Sequence, residues 1–376
     1  MKYNYNLSVL TPTHIGDGSS YSNKEYYVKE DNLYYKINNK RSSRKVNYIF
    51  KLNLNEYLKN ISPENQEDFL NKLSKNTINN QEKEEIAFEK YIEKHPDIIK
   101  YYDYKTIEIT KKVENDGIKH PTRINSTIKN TNNKAYIPGS SIKGAIRTAI
   151  IYDYLDKKNP RNQRDYEIIC NCPEIDEIMK NISISDSSEY KNNIRTVQIL
   201  PFTLTQEDDK NSNRDEKKGD MYNAIECIYN PYNLNVEITL YEDNPLTMEY
   251  IQDCLRLFNY DYIDHELTFF EEMYNKEKDE NKKDNINHII QFYEDLKGKN
   301  TKTAPLIRLG GNTGLLSKCI GLHMKNNYPN LYKQIYNDKN NPKKKKDNNN
   351  KNGEYPKVRQ ITPNNTAFGW CQLKSL

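Results

Sequence analysis

A chain of 376 residues is long for one domain and fits two, and its 35% hydrophobic and 29% charged residues allow a core while leaving much of the chain polar. Lys and Arg number 57 against 53 Asp and Glu, so the net charge of +4 excludes a strong global field, and any nucleic-acid surface has to be local. Asn, Lys, Ile and Tyr are abundant throughout, but all four can come from A/T-rich codons, so this bias carries no functional information.

Tyr3, Tyr5, Leu7 and Val9 alternate with Asn4, Asn6 and Ser8, which predicts a strand at the start. Thr11 to Gly18 reads as a turn-rich loop. Tyr26 to Val28 and Leu33 to Ile37 flank Lys29 to Asn32 and predict a hairpin. Residues 47 to 100 read as helical, and Thr106 to Val113 as a strand. Residues 114–133 carry Lys119, His120, Arg123 and Lys129 with little apolar content, and are expected to project as a loop.

The next segment is the most informative. Lys134-Ala-Tyr-Ile-Pro-Gly-Ser-Ser-Ile-Lys-Gly-Ala-Ile-Arg147 reads as a short strand, a Pro-Gly turn and a helix. Ile142, Ala145, Ile146, Ala149 and Ile150 follow the spacing of an apolar helix face. Ser140 or Ser141 is the expected N-cap. Lys143 and Arg147 stand four apart on the other face. Cations, free backbone N–H groups and Gly139 and Gly144 at a helix start suit a phosphate. The spacing Gly139-x-x-x-x-Gly144 matches a P-loop, but Ala145-Ile146 replaces its Lys-Ser/Thr pair, which argues against a nucleotide triphosphatase. Gly16-x-Gly18-x-x-Tyr21 lacks the third glycine of a dinucleotide fingerprint.

Ile182 and Ile184 alternate with Ser183 and Ser185 into Asp186, a further strand, and Ile194 to Leu200 is another. The polar run Gln206 to Gly219 marks a boundary, dividing the chain into modules 1–205 and 206–376. Beyond it, Met221 to Tyr229 and Leu234 to Tyr241 are expected to pair. Residues 246–297 are one or two long helices whose Leu255, Phe258, Ile263, Leu267 and Phe270 are core. Leu306 to Lys318 holds a second glycine cluster. Residues 338–352 form a low-complexity Lys/Asn segment, including Lys343 to Lys346, expected to be disordered. Val358 to Thr362 and Phe368 to Leu373 close the chain as two short strands. This interleaving predicts an α+β fold of two modules, each an antiparallel sheet covered by helices on one face.

Candidate chemistry is sparse. Cys170-x-Cys172 has no second pair to complete a zinc site, and the six scattered cysteines suit a reducing cytoplasm. No signal peptide or bilayer-spanning run is present, so no membrane partner is expected. His14, beside Asp17, and His120 are the only candidates for acid–base cleavage of RNA, and neither shows a partner in sequence. Asp186 alone cannot gather a magnesium ion, and caps a turn instead. No metal and no cofactor are expected.

Four segments together resemble the RAMP superfamily of CRISPR-associated proteins: Thr11-Pro-Thr-His-Ile-Gly16, Tyr136 to Arg147, Ile184-Ser-Asp-Ser187 and Arg308-Leu-Gly-Gly-x-x-Gly314. Within it, the chain is similar to the fifth-subunit family of type III-A (Csm) effector complexes, which Thr366 to Leu373 also suits. The resemblance implies ferredoxin-like, RRM-related modules with glycine-rich loops. It also implies a non-catalytic cap that holds the 3′ portion of the CRISPR RNA (crRNA) and supports its 3′ maturation in antiviral defence. The implied partners are crRNA, the other Csm backbone subunits and host nucleases for 3′ trimming. The implied RNA contacts are Gly139, Ser140, Ser141, Lys143, Gly144 and Arg147, with Arg308, Gly310, Gly311, Gly314 and Lys318. An aromatic that family members carry after the first glycine of the second loop is replaced here by Gly311 and Asn312. The alternative is a RAMP endoribonuclease that uses His14 or His120 without metal.

Overall fold

A computed structural model describes residues 1–376 except 38–39, 75–90, 93, 111–119, 204–222, 243, 340–355 and 357. In chain order the described elements begin with β1 (Lys2–Val9), β2 (Gly16–Ser22), β3 (Tyr26–Ile37), β4 (Lys40–Leu52), α1 (Leu54–Lys59) and α2 (Pro63–Ser74). A 3-10 turn (Pro96–Lys100), β5 (Tyr102–Ile109) and β6 (Arg123–Thr127) follow. Then come α3 (Gly139–Lys158), α4 (Gln163–Cys170), α5 (Pro173–Lys180), β7 (Ile182–Ile184), β8 (Arg195–Gln198) and β9 (Leu200–Thr203). The remainder is β10 (Asn223–Cys227), β11 (Tyr232–Leu240), α6 (Met248–Lys276), α7 (Glu280–Lys299), β12 (Leu306–Arg308), α8 (Gly321–Asn327), α9 (Pro329–Lys339), β13 (Val358–Ile361) and β14 (Trp370–Ser375).

A five-stranded antiparallel sheet runs β12-β14-β1-β11-β7. The alternation in β1 sends Tyr5, Leu7 and Val9 into the core and leaves Asn4 outside. Helices α3, α6 and α7 supply the other half of that core through Ile142, Ile146, Leu255, Phe258, Ile263, Phe270 and Ile289. The α3 stripe ends at Asn159, whose left-handed φ of 49° and N–H bond to the Leu155 carbonyl close the helix before Pro160. The N-cap side chains of Thr247 and Asp279 start α6 and α7. This is the expected α+β arrangement of an antiparallel sheet under helices.

A second sheet runs β2-β6-β10-β8-β5-β4-β3, with parallel pairs at β6–β10 and β5–β8. A third pair joins β9 to β13. Each sheet draws strands from both sides of residue 205, and the 206–219 boundary segment lies outside the described residues.

The structure departs from the sequence expectations at four places. The segment 26–37 is one strand, not a hairpin: β3 pairs over its whole length with β4, from Tyr26↔Lys51 to Ile37↔Lys40. The helical reading of 47–100 fails at its start, because β4 extends to Leu52. Strands β10 and β11 do not pair; they enter different sheets on either side of Pro231. The projecting loop over 114–133 is in part β6, inserted between β2 and β10 with Ile124, Ser126 and Thr127 buried. Lys119 and Lys343 to Lys346 lie outside the described residues.

Candidate nucleic-acid interface

Helix α3 starts two or three residues earlier than its serines suggest. Pro138 is the N-cap, and neither Ser140 nor Ser141 caps with its side chain. Asp186 takes that role from outside the helix: its Oδ1 accepts the Gly139 N–H at 2.9 Å. A carboxylate at the positive end of the helix dipole is favourable, and it occupies the amide that a phosphate would have used. Gly139 itself answers to packing, since a Cβ there would lie 2.1 Å from the Ile184 carbonyl oxygen. The basic pair is also tethered. Lys143 Nζ donates to the Ile182 carbonyl at 2.7 Å, and Arg147 Nη2 donates to the Cys170 carbonyl at 3.3 Å and to Asp176 Oδ1 at 3.1 Å. These bonds join α3 to β7, α4 and α5. They use a fraction of the N–H donors of a lysine and an arginine, so both cations still have donors for a ligand. Gly144 is exposed with nothing within 4 Å of where a Cβ would sit, and Ser140 is exposed beside the same turn.

The second glycine turn divides in the same way. Arg308 is a core side chain, 5% exposed. Its Nε donates to the Phe368 carbonyl at 3.1 Å, its Nη1 donates to the Tyr262 hydroxyl, and its guanidinium lies 5.1 Å from the Trp370 ring centroid. The expected RNA contact of Arg308 therefore gives way to a buried network with Glu266 and Arg359. Arg359 Nε reaches both Glu266 oxygens at 2.9 Å. Burial pushes the Glu266 carboxyl up, but Arg359 and Arg308 outweigh it and hold the group below its ordinary range. Gly310 and Gly311 close on the chain itself. The Gly311 N–H donates to the His14 carbonyl at 2.7 Å, and a Cβ on Gly310 would lie 2.1 Å from that oxygen. Gly314, with φ of +79°, and Lys318 remain exposed.

The Thr11–Gly16 loop is thus pinned under the second glycine turn. His14 is buried, and its Nδ1 donates to the Glu226 carbonyl at 2.8 Å. Burial lowers its pKa, so the ring is held neutral. Beside it is a buried polar cluster built from residues far apart in sequence. Lys129 Nζ contacts Glu226 Oε2 at 2.6 Å, Ser126 Oγ at 2.8 Å and the Thr127 carbonyl at 2.9 Å. The Tyr21 hydroxyl donates to Glu226 Oε1 at 2.8 Å. Three acceptors account for all three N–H donors of Lys129, leaving none for a pentacovalent phosphate. His120 lies elsewhere on the same sheet face, 3.3 Å from Glu108, which is in register with Thr196 and Glu226 across β5, β8 and β10. One signal for the cluster was present in sequence: Glu226 sits within Ala224-Ile-Glu-Cys-Ile228, and a carboxylate inside an apolar strand needs a buried partner. Asp17 makes a local turn, accepting from Ser19 N–H and Oγ. Among the described residues no group of three metal-binding side chains converges, and no helix is long and apolar enough to cross a membrane.

A family model for the RAMP superfamily matches residues 6–315. Over 154 residues the chain is 32% identical to a CRISPR system protein, Csm5, of Methanocaldococcus jannaschii; the match covers 40% of this chain, which spans 31% of that relative's length. The fold is similar to that of a chain in a cryo-EM structure of a type III-A Csm–crRNA–target RNA ternary complex, with a TM-score of 0.66, 18% identity and all of both chains covered. It is also similar to the crystal structure of T. onnurineus Csm5, with a TM-score of 0.56, 17% identity, and 97% of this chain and 99% of that one covered.

Proposed function

Because the chain belongs to the RAMP superfamily, we propose that it is a non-catalytic, crRNA-holding subunit at the 3′ end of a cytoplasmic type III-A effector complex. In this reading it packs against the Csm backbone subunits and supports trimming of the crRNA 3′ end by host nucleases. The observation that carries it is the likeness of the whole chain to a chain of the Csm–crRNA–target RNA complex. Two local features support it. The exposed parts of both glycine turns, Ser140 with Gly144 and Gly314 with Lys318, offer backbone and cations but no base-reading constellation, as a guide of varied sequence requires. The burial of His14, and the commitment of Lys129 to three acceptors, disfavour the ribonuclease alternative.

The test is to delete the gene in a strain carrying the complex and to sequence crRNA 3′ ends. Longer, unmatured ends are expected, with restoration by the intact chain. Normal ends in the deletion strain would reject the role. In parallel, purified chain with labelled RNA should bind without cleaving in either Mg²⁺ or EDTA. Cleavage lost on His14→Ala would put the nuclease reading first.

A further inference from the structure

The two faces of β4 both carry cations but differ in how these are paired. On one face Lys45 pairs with Glu30 at 2.7 Å and Lys51 with Glu25 at 3.0 Å. The other carries Arg44, Val46, Tyr48 and Phe50 by the two-residue period of a strand. Register extends that face across the sheet. Phe50 stands opposite Lys105, and Tyr48, Ile107 and Arg195 line up over β4, β5 and β8. Lys105 Nζ sits 4.4 Å from the Tyr48 ring centroid and 5.8 Å from that of Phe50. Phe50 meets the exposed Tyr102 edge to face at 5.2 Å. Among the described residues, Arg44, Lys105 and Arg195 form no ion pair with a carboxylate. One carboxylate, Asp31, lies opposite Val46 on this face and acts electrostatically on Tyr48.

Arg195 is the most constrained of the three. Its Nη1 donates to the Asn193 carbonyl at 3.2 Å, while its Nε is buried with no partner. Burial disfavours its charged form, and Arg44 adds like-charge repulsion. An anion arriving here relieves both effects, and flat aromatic surface lies beside it. Cations beside the exposed Tyr102 ring and the half-buried Phe50 suit the alternating phosphates and bases of a single strand, with Tyr48 buried beneath as the floor.

We propose that Arg44, Lys105 and Arg195, grouped about Tyr48 with Phe50 and Tyr102 alongside, form a second site for single-stranded RNA, on the outer part of the seven-stranded sheet. It is separate from both glycine turns. The inference rests on the RNA-binding reading above and adds a surface to it. Cations hold the backbone and the Phe50–Tyr102 pair takes a base, so binding is indifferent to sequence.

The test uses the full chain and fluorescence anisotropy with labelled single-stranded RNAs of unrelated sequence over a salt series. R44A/K105A should weaken binding about tenfold or more and reduce the log–log salt slope by about 1.4, roughly 0.7 for each lost phosphate contact. Y102A should cost about fivefold or more through lost stacking while leaving the slope unchanged. K45A/K51A, on the opposite face, should bind like the parent. If the parent binds RNA and R44A/K105A and Y102A bind equally well with the same slope, the second site is wrong and the glycine-turn reading stands. If the parent binds no RNA, that reading fails and takes this inference with it. If R44A/K105A keeps RNA binding but loses binding of polyglutamate, the surface is a dock for an acidic protein segment, and the RNA assignment is overturned.

Discussion

A methyl group at position 310 would sit 2.1 Å from the His14 carbonyl oxygen, on a backbone whose φ is +83°. Both the clash and the left-handed conformation oppose a side chain. Gly144 is the contrast, exposed within α3 with nothing within 4 Å. Gly310→Ala should therefore destabilise by about 2 kcal/mol or more, whereas Gly144→Ala should stabilise by about 0.5–1 kcal/mol through helix propensity. Denaturant midpoints measure both, and equal effects would show that the turn at 310 can relax. A pH effect belongs to the same scale. Burial lowers the pKa of His14 and of His323, whose Nδ1 bonds Tyr166 at 2.8 Å. The unfolded chain then binds more protons than the native one as pH falls below 6.5, the ordinary histidine value. This contribution is complete above that pH and is lost on acidification, at no more than about 1.4 kcal/mol per pH unit for each ring. Glu266, held low, loses its contribution only further down, below 4.5. Stability should fall between about pH 7.5 and about pH 5.5, and His323→Gln should reduce the fall. An identical fall in the variant would assign the effect to other groups.

At the scale of elements, the pair Lys129–Glu226 fastens β6 and the turn after it to β10. The Lys129 side chain is 8% exposed and that of Glu226 0%. Removing one partner leaves a buried charge, so Lys129→Met should cost about 3–5 kcal/mol. Lys129→Met/Glu226→Gln should cost less than the sum of the two single changes, with a coupling of about 1–3 kcal/mol. Additive losses would mean that the pair is not a unit. Deleting 116–131 should unfold the chain, because β6 goes with it; a dispensable loop would leave the thermal transition in place. Strand β6 was illegible for a physical reason. Arg-Ile-Asn-Ser-Thr offers one apolar residue, and its buried Ser126 and Thr127 are satisfied by Glu226, 99 or more positions away in sequence. Strand β3 reads as split at Lys29 to Asn32 because these four successive residues are all exposed, so no alternation marks the middle of the strand. The elements that were legible, β1, α3, α6 and α7, each bury one apolar face in the main core. Site residues follow the same divide. Glycine, lysine and serine at a turn can be seen in sequence, but whether Arg308 faces solvent or Trp370 depends on contacts 60 or so residues distant.

At the scale of the molecule, the chain crosses between its sheets repeatedly, and β1 is the clearest case. It lies in the middle of the five-stranded sheet, paired with β11 from Lys2↔Thr239 to Val9↔Tyr232 and with β14 from Tyr5↔Ser375 to Val9↔Cys371. The N-terminal amine adds a bond to the Leu240 carbonyl. A fragment of residues 206–376 would retain β11 and β14 but lack the strand between them. It would expose two unpaired edges and the apolar faces of Leu234, Val236, Ile238 and Leu373, which Tyr5, Leu7 and Val9 help to bury. It would also lose α3, the partner of α6. Nothing in the remaining elements replaces either contribution, and a sheet missing its central strand cannot close up without shifting β14 against β12. Residues 206–376 expressed alone should therefore show no cooperative thermal transition and should aggregate, while co-expression with 1–205 should restore a single transition like that of the intact chain. Calorimetry on the fragment and on the co-purified pair decides it. A sharp transition in the isolated fragment would mean that its strands pair differently without β1, and that the shared sheet does not set the cooperative unit.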